Sequence, residues 1–148
     1  MQTVKEIGRD EKLYRVIKRS MPKWVQQLKD EQGCYHPTPA MYKDDKGISV
    51  DRDEGRKEDE VIQSIKEGQF ADRTKGIAAV SASYCFDIDV RVVHAPTTEN
   101  KYHSNIFLDS DDEEKRELQS LQLADASKIV YFDPTMSWID IKTGKPIL

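Results

Sequence analysis

Along residues 12–19, KLYRVIKR, the apolar positions alternate: Leu13 and Ile17 share one side of an extended chain with Arg15, and Tyr14 and Val16 share the other. That pattern predicts a strand. The next stretch, PKWVQQLKDEQG, has a proline near its start and Gly33 at its end, which predicts a short helix with Trp24, Val25 and Leu28 as its buried stripe. AMYK (40–43) and GISVD (47–51) read as two short strands joined by the turn DDKG. EGRKEDEVIQSIKEGQF (54–70) opens on acids and carries Gly68 near its end, the signature of a helix whose core positions are Val61, Ile62 and Ile65.

KGIAAVSAS (75–83) is almost continuously apolar and DIDVRVVHAP (87–96) alternates, so both are expected as strands in the middle of a sheet. Another strand is expected over 102–108. SDDEEKRELQSLQLADASK then predicts a second main helix, with Ser110 and Glu113 as a capping box and Leu118, Leu121 and Leu123 as its apolar face. The tail supplies a short strand in IVYF, a turn at Pro134 and a hairpin, WIDIKTGKPIL, pivoting on TG. This order fits an α+β fold with one small mixed or antiparallel sheet flanked by two main helices. A single compact domain is expected over 1–148, with a flexible lead-in over 1–11 and a hairpin extension over 133–148.

Composition narrows the function classes. Apolar residues make up 37% of the 148 and charged residues 34%, polar for a globular domain but too rich in strand-like runs for a disordered one. The longest uncharged apolar run, GIAAVSASYCF, is far shorter than the roughly 20 residues a membrane span needs. The N-terminus shows no apolar h-region with a small-residue cleavage site, so a cytoplasmic location is expected and no membrane association. A net charge of −4 argues against nucleic acid as a partner, because phosphate neutralisation needs a basic footprint.

Two cysteines, Cys34 and Cys85, are expected as unpaired thiols. His36, His94 and His103 invite a metal reading, but only Cys34 and His36 are close in sequence and their spacing is not one that zinc sites use, so no metal is expected. G-x-S-x-G, H-E-x-x-H and a glycine-rich phosphate loop are all missing, and no cofactor is expected. The acid runs DRDE and SDDEE sit at helix starts, where the dipole favours carboxylates.

Two resemblances add to this. Arg15, Ser49 and a later acid such as Glu99 resemble the arginine, serine and glutamate of ADP-ribosyltransferase-like folds. That resemblance implies a nucleotide-binding enzyme using Arg15, Ser49 and His103. A longer stretch, residues 13–107, resembles a set of small uncharacterised bacterial proteins with a Y-R-x-I, P-x-x-x-aromatic-K, S-V and P-x-x-x-N-x-x-H layout. It implies no activity but singles out Arg15, Lys43, Ser49, Asp51, Asn100 and His103. With the aromatic and polar residues Trp24, Tyr35, His36, Tyr42 and Tyr102, these form the candidate binding surface. The leading expectation is a non-catalytic protein-binding or regulatory accessory module, of the kind found in bacterial conflict or defence operons, whose partner is another protein. The enzyme is the alternative.

Overall fold

In a computed structural model, residues 6–27, 35–44, 46–68, 71–140 and 142–147 are described. The fold is α+β. Six strands, β1 (Lys12–Lys18), β4 (Ile48–Arg52), β5 (Thr74–Ser81), β6 (Arg91–His94), β7 (His103–Phe107) and β8 (Lys128–Phe132), form one sheet in the order β6-β7-β4-β1-β5-β8. Every neighbouring pair is antiparallel. β2 (Val25–Gln27) and β3 (Tyr35–Pro37) make a separate two-stranded sheet. The helices are α1 (Glu58–Lys66), α2 (Ala82–Asp87) and α3 (Glu113–Ala126).

Because side chains alternate along a strand, the sheet has two differently dressed faces. The first carries Leu13 and Ile17 of β1, Ile48 and Val50 of β4, Ala78 and Val80 of β5 and Ile106 of β7, closed over by Leu123 and Ala124 of α3, Cys85 of α2, and Met41 and Tyr42. The second carries Tyr14, Ile77 and Ala79, covered by Val61 and Ile65 of α1 with Ile62 beside them. α1 thus lies over β1, β5 and β8 alone, and the β4-β7-β6 half of that face stays open: Ser49, Arg91 and Val93 are exposed. Gly76 in β5 is where β8 comes closest; a Cβ there would lie 2.8 Å from the Tyr131 carbonyl oxygen.

Several expected elements are corrected. Residues 22–27 are a 3₁₀ turn, Pro22–Trp24, followed by β2. Trp24 is held under the Arg15 guanidinium, 4.4 Å from its ring centre, and Val25 pairs with Pro37, so cross-strand pairing overrides the local helical pattern. Leu28 and Gly33 lie outside the described residues. Pro39–Tyr42 is a 3₁₀ helix and not a strand, because its carbonyls serve side chains: Met41 accepts from Arg15 Nε (2.7 Å) and Tyr42 from Ser120 Oγ (2.7 Å). β6 is an edge strand, not a central one, and a short helix, α2, stands between it and β5. The centre of the sheet belongs to β4 and β1.

The face of α3 is also not the expected one. Its N-cap is Asp112, whose side chain accepts from the Lys115 amide, and not Ser110. Leu123 is buried as expected, but Leu118 is 52% exposed and Leu121 45% exposed, while Gln119 and Ser120 face the core. Three hydrogen bonds explain the inversion: Gln119 accepts from the Asp109 amide (2.8 Å) and donates to the Ile88 carbonyl (3.1 Å), and Ser120 donates to the Tyr42 carbonyl. α1 matches its expected core positions but starts later than the sequence suggests, after a turn at Glu54 (φ 48°) and Gly55 (φ 83°).

Before β1, the chain is tied down by charge. Glu11 and Arg52 are both buried; Arg52 Nε reaches Glu11 Oε1 at 2.9 Å and Nη2 reaches Oε2 at 2.6 Å. Glu11 also accepts from the Gly8 and Glu54 amides. After β8, Lys75 donates to the carbonyls of Asp133 and Met136 and lies against the rings of Phe132 and Trp138. Beyond it, Ile139 pairs with Pro146 around Gly144 (φ 66°), a bridge at the expected TG hairpin. Among the described residues no helix is long and apolar enough to cross a membrane.

Truncating Leu123 to Ala is expected to cost about 2–5 kcal/mol in denaturant unfolding. The same change at Leu118 should stay within about 0.5 kcal/mol. Equal losses at the two positions would contradict the orientation of α3. Glu11→Ala removes the carboxylate that meets the buried Arg52 guanidinium, and a loss of about 3–5 kcal/mol is expected. Burial opposes ionisation of Glu11, but hydrogen bonds from Arg52 and two amides outweigh it and hold the carboxyl below its ordinary 4.5. The stabilisation is therefore complete above that value and lost as pH falls through the folded-state pKa. Unfolding midpoints followed from pH 7 down to about 3 should fall more steeply in the wild type than in Glu11→Ala.

Candidate functional site

The open half of the second face begins at a row of side chains that the strand register lines up: Tyr14 on β1 opposite Asp51 on β4, and Asp51 opposite His103 on β7. Each is positioned from behind. The Tyr14 hydroxyl donates to Glu58 Oε1 at the start of α1 (3.2 Å), and Lys12 Nζ lies 3.6 Å from the same oxygen. Asp51 Oδ1 accepts from Asn100 Nδ2 (2.7 Å). Asn100 is itself locked, its Oδ1 accepting from the Tyr102 backbone amide and its backbone N–H donating to the Thr97 hydroxyl oxygen.

His103 Nδ1 lies 2.8 Å from the Ala95 carbonyl oxygen. A carbonyl only accepts, so Nδ1 carries a proton, and in the neutral form of the ring the lone pair is on Nε2. Burial raises the Asp51 carboxyl above its ordinary range, with the Asn100 hydrogen bond and the charges of Arg56 and His103 pulling the other way.

Sequence reasoning passed over Arg56, which completes this corner. Its Nε donates to the Asp53 carbonyl (3.0 Å), its Nη2 to the Arg52 carbonyl (2.8 Å), and its guanidinium carbon sits 3.4 Å from the centre of the Tyr102 ring. The turn that aims it is built by Asp53, which accepts from the Lys12 and Gly55 amides. The signal was the turn sequence DEGR, which brings an arginine back onto the strand it has just left. Further along the face, Arg91 lies over Phe107 (4.9 Å) and Val93 stands opposite Asn105. Gly47, at φ 107°, leaves room for Phe107; a Cβ there would come within 3.0 Å of that ring.

Of the expected surface, Ser49, Asp51, Asn100, Tyr102 and His103 therefore gather on one open face, and the rest lie elsewhere. Arg15 is buried under the opposite face, donating to the carbonyls of Met41 and Ser49 (2.9 Å) and stacked on Trp24. Burial pulls its pKa down to about 10. Tyr42 is fully buried and hydrogen-bonded to Ser127 (2.6 Å), and burial pushes its hydroxyl up to about 12. Tyr35 stacks on Phe132, His36 pairs with Gln26 in the small sheet, and Lys43 meets Glu117 on the surface (3.0 Å).

The arginine and the Ser49 hydroxyl of the transferase-like trio thus point to opposite sides of the sheet, since Ser49 lies between buried Ile48 and Val50. Cys85 is an unpaired thiol in the core, and burial pushes its pKa up to about 12; Cys34 lies outside the described residues. Among the described residues no cluster of three histidine, cysteine, aspartate or glutamate side chains is placed to hold a metal. Two shallow surface clefts, of about 240 and 190 Å³, are lined by neither Asp51 nor His103.

What the open face offers is a guanidinium on an aromatic ring, an oriented imidazole nitrogen and a carboxyl, groups suited to hydrogen-bonded recognition. Removing the Asn100 amide is expected to raise the Asp51 pKa further, because that bond stabilises the ionised form. A carboxyl-carbon NMR titration of Asn100→Ala against wild type checks it; an unchanged Asp51 midpoint would show the bond is not made in solution.

Compared with known proteins, the chain matches no family model, no curated protein and no solved structure.

Proposed function

We infer that the protein is a binding module that acts by contacting another protein through the open half of its sheet. The observation that carries this reading is the partial cover of the second face: α1 shields β1, β5 and β8, and leaves β4, β7 and β6 displaying side chains to solvent. The displayed set is an interface-like mixture. Val93 is 38% exposed, and the Phe107 and Tyr102 rings each carry an arginine, Arg91 and Arg56. Aromatic residues and arginine dominate interface hot spots, and rings pinned under guanidinium groups lose little side-chain freedom on binding. The role proposed with it is accessory or regulatory, with recognition and not turnover as the output.

A photo-crosslinking residue placed at Val93 in the protein's native host tests this. A discrete protein adduct is expected from position 93 and none from Asp59, which is exposed on α1. Phe107→Ala and Arg56→Ala should each weaken adduct formation about tenfold or more, the loss expected of anchor residues. Equal labelling from both positions, or no adduct at 93 from folded protein, would overturn the reading.

A further inference from the structure

α3 is mounted with two of its leucines outward and two polar side chains inward. On its solvent side stand Glu114, Glu117, Leu118, Leu121 and Asp125, all exposed, directly opposite the buried Gln119, Ser120, Leu123 and Ala124. Leu118 and Leu121 are one helical turn apart, so they form a single apolar spot. Nothing in the packing calls for them, since the helix is already held by Leu123, by Ala124 and by the hydrogen bonds of Gln119 and Ser120. Two neighbouring leucines left half-exposed on a helix whose own docking is complete are free to meet another surface.

The charge around the spot selects the occupant. Among the described residues, Glu114 and Asp125 make no ion pair, and Glu117 meets only Lys43. A second copy would bring these acids against their own kind, and like charges across an interface are repulsive. We propose that this face of α3 docks a basic amphipathic helix of a partner protein, whose aliphatic residues cover Leu118 and Leu121 and whose lysines or arginines meet Glu114, Glu117 and Asp125. This surface is separate from the open sheet face, so each stands or falls on its own test. Electrostatic steering makes such a contact fast and salt-sensitive, and the small apolar spot makes it reversible.

The probe is a synthetic helical peptide of about 16 residues, long enough to match α3, with leucines spaced three and four apart and lysines elsewhere. A matched peptide with glutamates in place of lysines serves as its control. Fluorescence anisotropy with the full chain should show saturable binding of the lysine peptide, weakening as salt rises, and none of the glutamate peptide. The double variant Leu118→Gln/Leu121→Gln, which leaves the charge unchanged, should weaken binding about tenfold or more. Equal affinity for wild type and double variant would reduce the effect to general attraction by an acidic protein and overturn the proposal. So would absence of binding, or a wild-type dimer in sedimentation that the double variant abolishes.

Discussion

A guanidinium and a carboxylate, Arg52 and Glu11, meet inside this protein where neither could stay alone. Burying an ion costs several kcal/mol, and only a well-formed pair with its remaining hydrogen bonds satisfied brings that cost back. The rest of the corner inherits its geometry from this requirement. Glu11 takes the Glu54 amide as well as Arg52, which fixes the turn after β4 in its left-handed form. That turn returns Arg56 onto the Arg52 carbonyl and over Tyr102. The ion pair is thus less a source of net stability than a register device, setting the chain before β1, the end of β4 and the start of α1 in one arrangement.

Local pattern made most of the framework legible. β1, β4, β5, β7, β8 and the two longer helices fall within a few residues of where alternation, apolar runs and acidic helix starts put them. What could not be read depends on partners distant in sequence. Val25 joins a strand because Pro37 is opposite, and Pro39–Tyr42 coils because Arg15 and Ser120 claim its carbonyls. The orientation of α3 rests on Gln119 finding an amide and a carbonyl in two other segments. Hydrophobic spacing contains none of that information.

The candidate residues divided for the same reason. Ser49, Asp51 and His103 occupy alternate positions of two paired strands, so period-two alternation alone puts them on one face. Arg15 was recognisable as a charge among apolar neighbours, but not which backbone carbonyls would receive it. Arg56 drew no notice in a run of charges, because its significance comes from the Tyr102 ring, 46 positions later in the chain. The two faces proposed as contact surfaces differ in character: the sheet face is preorganised by stacking and hydrogen bonds, and the α3 face is an apolar spot beside exposed acids.

The strand order has a consequence for how the chain comes to be folded. β1 precedes β4 and β5 in the chain yet sits between them, so it has both of its neighbours only once residue 81 has emerged. Pairings of such long sequence separation are slow, since loop closure must precede any reward from contact. During synthesis β1 therefore keeps an open edge until its second flank arrives, one that a chaperone or a neighbouring nascent chain can reach. A cut between β4 and β5 would part β1 from one of its two flanks.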